Sequence, residues 1–235
     1  MKKIIIASTS TIHNSQYLEY LLPVLKNHFN NVKTLLFIPY ARPSGITHDE
    51  YTQKVATAFS KLDITVKGIH EYENPTQAIA QAEGIFTGGG NTFLLVKQLY
   101  NNNVITAIQK AINNGTPYLG CSAGSNICGL TMETTNDMPI TYPPSFKTLG
   151  FVPFNINPHY LDPIEGSTHM GETRETRINE FHSLNSQPVV GLREGSWLEV
   201  QGDTITLRGN LTARIFEQGK AAVEVVPDTD LSHLK

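Results

Sequence analysis

Short apolar runs alternate with longer segments of helical periodicity through the first half of the chain. That alternation predicts a parallel β-sheet covered on both faces. Strands are expected over residues 3–8, 33–39, 64–69, 84–87 and 117–121. Residues 17–29, 48–62, 75–82 and 91–112 carry the spacing of amphipathic helices, and Asn74-Pro75 makes a good N-cap and first-turn pair. The fold class is therefore doubly wound α/β, with a mostly parallel sheet whose ligands bind beyond the carboxyl ends of its strands. After Leu130 the pattern loosens into a polar, proline-bearing loop over 133–147 and a loop rich in charge and histidine over 158–173. Loops of that length commonly carry function. A helix over 174–184 follows, then short β segments at 189–192, 197–201, 204–207 and 221–226 that extend or flank the main sheet. With no repeat and no linker, residues 1–235 read as one domain.

Bulk properties narrow the class of partner. A 235-residue chain that is 40% hydrophobic can bury a full core. Its net charge of −3, with Lys and Arg nowhere clustered, gives no footprint for nucleic acid or an anionic membrane, so a small-molecule partner is expected. The apolar run at residues 4–7 is too short for a signal segment or a membrane span, which points to the cytoplasm. Cys121 and Cys128 stand about two helical turns apart, roughly 10 Å, so they are expected to be reduced.

The chemistry-bearing residues begin at Gly120-Cys121-Ser122-Ala123-Gly124, a G-x-S-x-G elbow between the last predicted strand and a helical start over 123–130. A strand-to-helix elbow strains the backbone at the serine and leaves almost no room for side chains two residues to either side. A serine nucleophile needs a base, and the base needs an orienting group. His159 is the best base, because Pro158 stiffens its approach; His169 and His182 compete, the latter as a solvated helix-face residue. Glu194, just past an apolar strand and followed by glycine, can accept the imidazole Nδ1 proton. The order Ser, His, Glu along the chain differs from that of ordinary α/β-hydrolases, which implies a different scaffold.

Gly88-Gly89-Gly90 reads as a phosphate-type nest, a flexible turn or one wall of an oxyanion hole. No Lys-Ser/Thr pair follows, which weakens the phosphate reading. In the oxyanion reading an N–H of this loop joins that of Ala123, helped by the positive end of the helix that starts there. His159, Asp162, His169, Glu172 and His182 fall close together, yet none makes a metal-ligand spacing, so no metal is expected.

Five blocks in order, Gly88 to Phe93, Gly120 to Asn126, Asn157 to Tyr160, Gly171 to Glu175 and Gly191 to Trp197, resemble the peptidase E family of serine peptidases. These are α-aspartyl dipeptidases that share the class I glutamine amidotransferase-like fold. The resemblance implies hydrolysis of Asp-Xaa dipeptides without metal or organic cofactor, by a monomer or weak homodimer. It makes Ser122 the nucleophile, His159 the general base and then acid, and Glu194 the orienter. Gly89 and Ala123 become the oxyanion donors, with Gly88, Gly90 and Asn91 lining the substrate site, although the sequence does not decide which glycine points correctly. Cys121 and Arg193 stand where the family commonly has tryptophan and proline. Aspartate specificity needs a cation, since an arginine fork satisfies both carboxylate oxygens. Arg174 is the first choice and Arg177, one helical turn on, the second. Two other readings stay open: a hydrolase of another aspartyl amide, such as cyanophycin-derived β-Asp-Arg, and a non-catalytic binding relative. An amidotransferase fits less well, since serine stands at the nucleophile position.

Overall fold

The computed structural model describes all of the 235-residue chain except Ile164, Glu165, Ser167 and His169. Five expected strands form within a residue or two of their predicted bounds: β1 (Lys3–Ala7), β2 (Thr34–Ile38), β3 (Thr65–Gly68), β4 (Gly84–Thr87) and β5 (Tyr118–Cys121). The helices between them are α1 (Leu22–His28), entered through a 3-10 turn at Glu19–Leu21, then α2 (His48–Phe59) and α3 (Pro75–Ala80). Polar caps set their starts. Thr47 and Glu50 close a reciprocal capping box on α2, and Asn74 accepts from the Gln77 N–H at the head of α3.

The helical run expected over 91–112 is two helices, α4 (Thr92–Asn101) and α5 (Ile105–Asn113). Asn103 takes a left-handed φ of 54°, and the Val104 N–H reaches back to the Leu99 carbonyl at 3.1 Å. That is a helix stop of the Schellman kind, with asparagine standing in for glycine. The helix expected over 123–130 is shorter still: α6 (Ala123–Asn126) is one turn. It ends because the chain pairs elsewhere, with the Leu149 N–H on the Ile127 carbonyl and the Leu130 N–H on the Phe154 carbonyl.

The later elements are β6 (Asn155–Pro158), α7 (Arg174–Phe181), β7 (Val189–Leu192), β8 (Ser196–Gln201), β9 (Thr204–Gly209), β10 (Ala213–Phe216) and β11 (Val223–Val225). The main sheet runs β3-β2-β4-β5-β1-β8-β9, its first five strands parallel and the β8-β9 hairpin antiparallel at one edge. A second sheet, β11-β10-β7-β6, shares no strand with it. The sequence reading missed β6 and β10, so it placed β7 and β11 as mere flanking pieces.

Alternate residues of the parallel strands enter opposite cores, as the two-residue strand period demands. Ile4, Ile6, Leu36, Ile38 and Ile85 pack with α3, α4, α5 and the inner residues Ile156, Val190, Leu192 and Ile215 of the second sheet. Ile5, Ala7, Leu35, Phe37 and Phe86 pack with Leu25 of α1 and Tyr51, Val55 and Phe59 of α2. Cys121 and Cys128 are both buried and free, and burial pushes both thiols up in pKa. No helix among the described residues is long and apolar enough to cross a membrane.

Candidate active site

The carboxyl end of β5 delivers Ser122 into a turn that only small neighbours permit. A Cβ on Gly120 would lie 2.3 Å from the Gly124 carbonyl oxygen, and one on Gly124 would lie 2.2 Å from that of Thr87. Ser122 itself adopts φ 57° and ψ −114°. Such a conformation costs a non-glycine residue on the order of 1–3 kcal/mol and persists only where its surroundings hold it. Here the Ser122 N–H donates to the Ala7 carbonyl at 3.2 Å, and the Ser122 carbonyl accepts from the Ser125 and Asn126 amides at 2.9 Å each. The side chain of Ser125 adds a bond to the Gly120 carbonyl at 2.9 Å.

His159 leaves β6 through a second left-handed residue, with φ 54°. Its N–H donates to the hydroxyl of Ser8 at 2.9 Å, and that hydroxyl donates to the Leu192 carbonyl at 2.7 Å. The fully buried Ser8 thus ties the end of β1 to His159 and to the end of β7. The imidazole Nε2 lies 2.9 Å from Ser122 Oγ, and Nδ1 lies 2.6 Å from Glu194 Oε1. A proton on Nδ1, donated to the carboxylate, leaves the Nε2 lone pair to accept from the serine hydroxyl. The expected serine, histidine and glutamate, from three distant stretches of chain, therefore stand in one hydrogen-bonded series.

The glycine loop after β4 faces the same elbow. A Cβ on Gly89 would meet the Ser122 Cβ at 2.8 Å. The Gly88 N–H donates to the Ile38 carbonyl at 3.2 Å, and the Gly89 N–H donates to the Tyr51 hydroxyl at 3.0 Å. Gly90, with φ 146°, approaches Ala41 so closely that a Cβ would sit 2.3 Å from its carbonyl oxygen, and its N–H makes no hydrogen bond among the described residues. Ala123 is the first residue of α6, so its N–H has no carbonyl one turn back. A one-turn helix brings that amide rather than a macrodipole, which differs from the expectation of a longer helix. Asn91 is more occupied than its place in the loop suggested. Its side chain caps α4 by accepting from the Leu94 N–H at 3.1 Å and donates to the Met138 carbonyl at 2.8 Å.

Arg174 opens α7, whose cap is the Thr173 hydroxyl on the Thr176 N–H. It forms no ion pair among the described residues. Partial burial, reinforced by Arg177, lowers its pKa, while the charge of Asp137 acts the other way. Asp137 in turn accepts from the N–H and hydroxyl of Thr92 at 2.7 and 2.6 Å, at the head of α4 beside the glycine loop. Arg177 points to Glu172 at 3.6 Å and is half-exposed.

His182 is not the solvated helix-face residue expected: it is buried at the end of α7 with Nε2 3.0 Å from the Gln187 carbonyl. His169 lies outside the described residues. Among the described residues, no three His, Cys, Asp or Glu side chains group as a metal site. Sequence reasoning missed Ser8 and Tyr51. A faint signal for Ser8 was available in the hydroxyl residues Ser8-Thr9-Ser10 at the carboxyl end of β1, where α/β sheets place their ligands.

A strained serine above a parallel sheet, backed in series by an imidazole and a carboxylate, is the arrangement of a serine hydrolase. The comparisons narrow this, because the sequence profile of peptidase family S51 matches residues 4–208, and the chain belongs to that family. It is 47% identical to peptidase E of Streptomyces coelicolor over 231 residues, covering 98% of this chain and 94% of the relative. It is 43% identical to the probable alpha-aspartyl dipeptidase of Drosophila melanogaster over 236 residues, 99% of this chain and 97% of the other. Among solved structures, a peptidase from an acI-B1 Actinobacterium superposes with a TM-score of 0.74 at 18% identity, covering 98% of this chain and 96% of that one. At such identity the likeness speaks for the fold.

Proposed function

We propose that this protein is a serine-type dipeptidase acting in the cytoplasm on dipeptides whose first residue is aspartate. The observation that carries the reading is the unbroken series Ser122 Oγ, His159 Nε2, His159 Nδ1 and Glu194 Oε1, with spacings of 2.9 and 2.6 Å. Full-length likeness to peptidase E and to an alpha-aspartyl dipeptidase supports the substrate class.

In this mechanism His159 Nε2 takes the Ser122 proton as Oγ adds to the scissile carbonyl carbon. Glu194 holds the Nδ1–H tautomer and stabilises the imidazolium. The negative oxygen of the tetrahedral intermediate takes the N–H of Ala123 and that of Gly90. Gly90 replaces Gly89 as the second donor because the Gly89 N–H is already committed to Tyr51. Such a donor is worth about 3 kcal/mol of the barrier. Collapse breaks the C–N bond, and the imidazolium gives its proton to the departing amine of the second residue. Water, deprotonated by His159, then attacks the aspartyl ester and releases aspartate and Ser122. Arg174 pairs with the aspartate side-chain carboxylate, a role supported by its partial burial and its lack of an ion-pair partner among the described residues.

Two variants test the reading. Ser122→Ala is expected to reduce hydrolysis of Asp-Leu by roughly 10⁴-fold or more; activity within a factor of a few of wild type removes Ser122 as nucleophile. Arg174→Met is expected to lower kcat/KM for Asp-Leu by roughly 100-fold while sparing Asn-Leu, its uncharged isostere. Equal losses on both peptides would take Arg174 out of the pocket. In the same assay, turnover of β-Asp-Arg in preference to Asp-Leu would favour an isopeptide substrate.

A further inference from the structure

Arg193, immediately before Glu194, is only 15% exposed and is the most heavily bonded cation of the described residues. Its Nε and Nη2 clasp both oxygens of Asp162 at 2.8 and 2.7 Å, and Nη1 and Nη2 clasp both oxygens of Glu224 in β11 at 3.0 and 2.9 Å. Nη1 also donates to the carbonyl and hydroxyl of Thr212 at 3.0 and 2.9 Å. The guanidinium lies 5.4 Å from the ring centre of Tyr160, the residue that follows His159. One side chain thus grips the segment just after His159 and the backbone just before Glu194.

The ion pairs continue beyond it. Glu224 also pairs with Arg214 of β10 at 3.3 Å, and Arg214 pairs with Glu175 at 2.9 Å. Glu175 is the neighbour of Arg174 in the first turn of α7. The series Asp162, Arg193, Glu224, Arg214, Glu175 therefore runs without a gap from the segment after His159 to the first turn of α7, where Arg174 stands. Each carboxylate in the middle is shared by two cations or each cation by two carboxylates, so the members fix one another's geometry.

We propose that Arg193 is a positioning residue that, through this series, sets the His159–Glu194 geometry and couples it to the placement of Arg174. The proposal rests on the triad reading above. Loosening the Arg193 end misaligns the proton relay while substrate still binds; loosening the Glu175 end misplaces Arg174 while the relay stays intact. The two ends must therefore divide differently between kcat and KM.

The test measures kcat and KM for Asp-Leu, together with the low-field proton NMR line of the His159 Nδ1–H in its bond to Glu194. For Arg193→Met, kcat is expected to fall roughly 10- to 100-fold with KM nearly unchanged, and the line to shift or broaden. Arg193→Lys, which keeps the charge but not the fork, is expected to recover part of both. Glu175→Gln is expected to raise KM roughly 10-fold at near-constant kcat, leaving the line in place. A folded Arg193→Met with wild-type kcat and an unmoved line overturns the proposal. If that variant fails to fold, Asp162→Asn, at a half-exposed carboxylate, is read the same way, and wild-type values there overturn it. Activity surviving in Ser122→Ala would instead remove the triad, and this coupling with it.

Discussion

Tyr51 bears on the proposed chemistry without taking part in it. Its buried hydroxyl accepts from the Gly89 N–H at 3.0 Å and lies 3.3 Å from the Gly89 carbonyl. It thereby settles which glycine of the loop stays free. Tyr51→Phe removes that partner and leaves a buried N–H unsatisfied, which costs about 1–3 kcal/mol. The variant is expected to unfold at lower urea and to lose kcat more than KM, as measured by denaturation and steady-state kinetics. At this scale the sequence was legible where chemistry-bearing residues sit in a local pattern. Ser122 lies between glycines, His159 after a proline, and Glu194 before a glycine. Ser8 and Tyr51 were not legible, because each acts on the backbone of a residue far along the chain, and such a contact leaves no periodicity behind.

At the scale of elements, pattern reading found the buried strands β1, β2, β4 and β5 and missed β6, where polar residues turn inward. β6 contains Asn155 and Asn157, which are nearly inaccessible. Asn155 exchanges bonds of 2.9 Å with the N–H and hydroxyl of Thr131, and Asn157 donates at 2.8 Å to the Thr134 carbonyl and to Asn136. With Asn155 bonded through both its oxygen and its nitrogen and Asn157 through its nitrogen alone, two buried amides hide a strand from any rule that equates inside with apolar. The break between α4 and α5 was missed for a related reason: Asn103 does the work of a glycine there. A left-handed residue with an ordinary Cβ is disfavoured by roughly 1–2 kcal/mol, and asparagine escapes part of that. Asn103→Ala is therefore expected to destabilise the protein by about 1 kcal/mol, with Asn103→Gly at least as stable as wild type. Urea titrations of the two variants decide it.

For the molecule as a whole, the doubly wound class was readable from alternation alone, whereas the second sheet was not, since two of its four strands, β6 and β10, went unread. The burial that this packing produces has an acid-side consequence. His28 is buried with Nε2 3.0 Å from the Tyr118 carbonyl, and burial pushes its pKa down to about 3 from 6.5. The unfolded chain takes up that proton near pH 6.5 while the folded chain refuses it until about pH 3. Unfolded protein thus binds more protons through that window, and stability falls as the pH falls, by up to about 1.4 kcal/mol per pH unit. His28→Gln, which keeps a donor but cannot titrate, is expected to lose less stability than wild type between neutral and mildly acidic buffer, measured by urea midpoints.

The serine belongs to the first sheet, while the imidazole and the carboxylate lie at the ends of strands in the second. A chain leaving the ribosome exposes them in that order, and the hydroxyl has no base to activate it until the later sheet has formed and docked. In the proposed mechanism, competence against dipeptides is thereby withheld until folding is nearly complete.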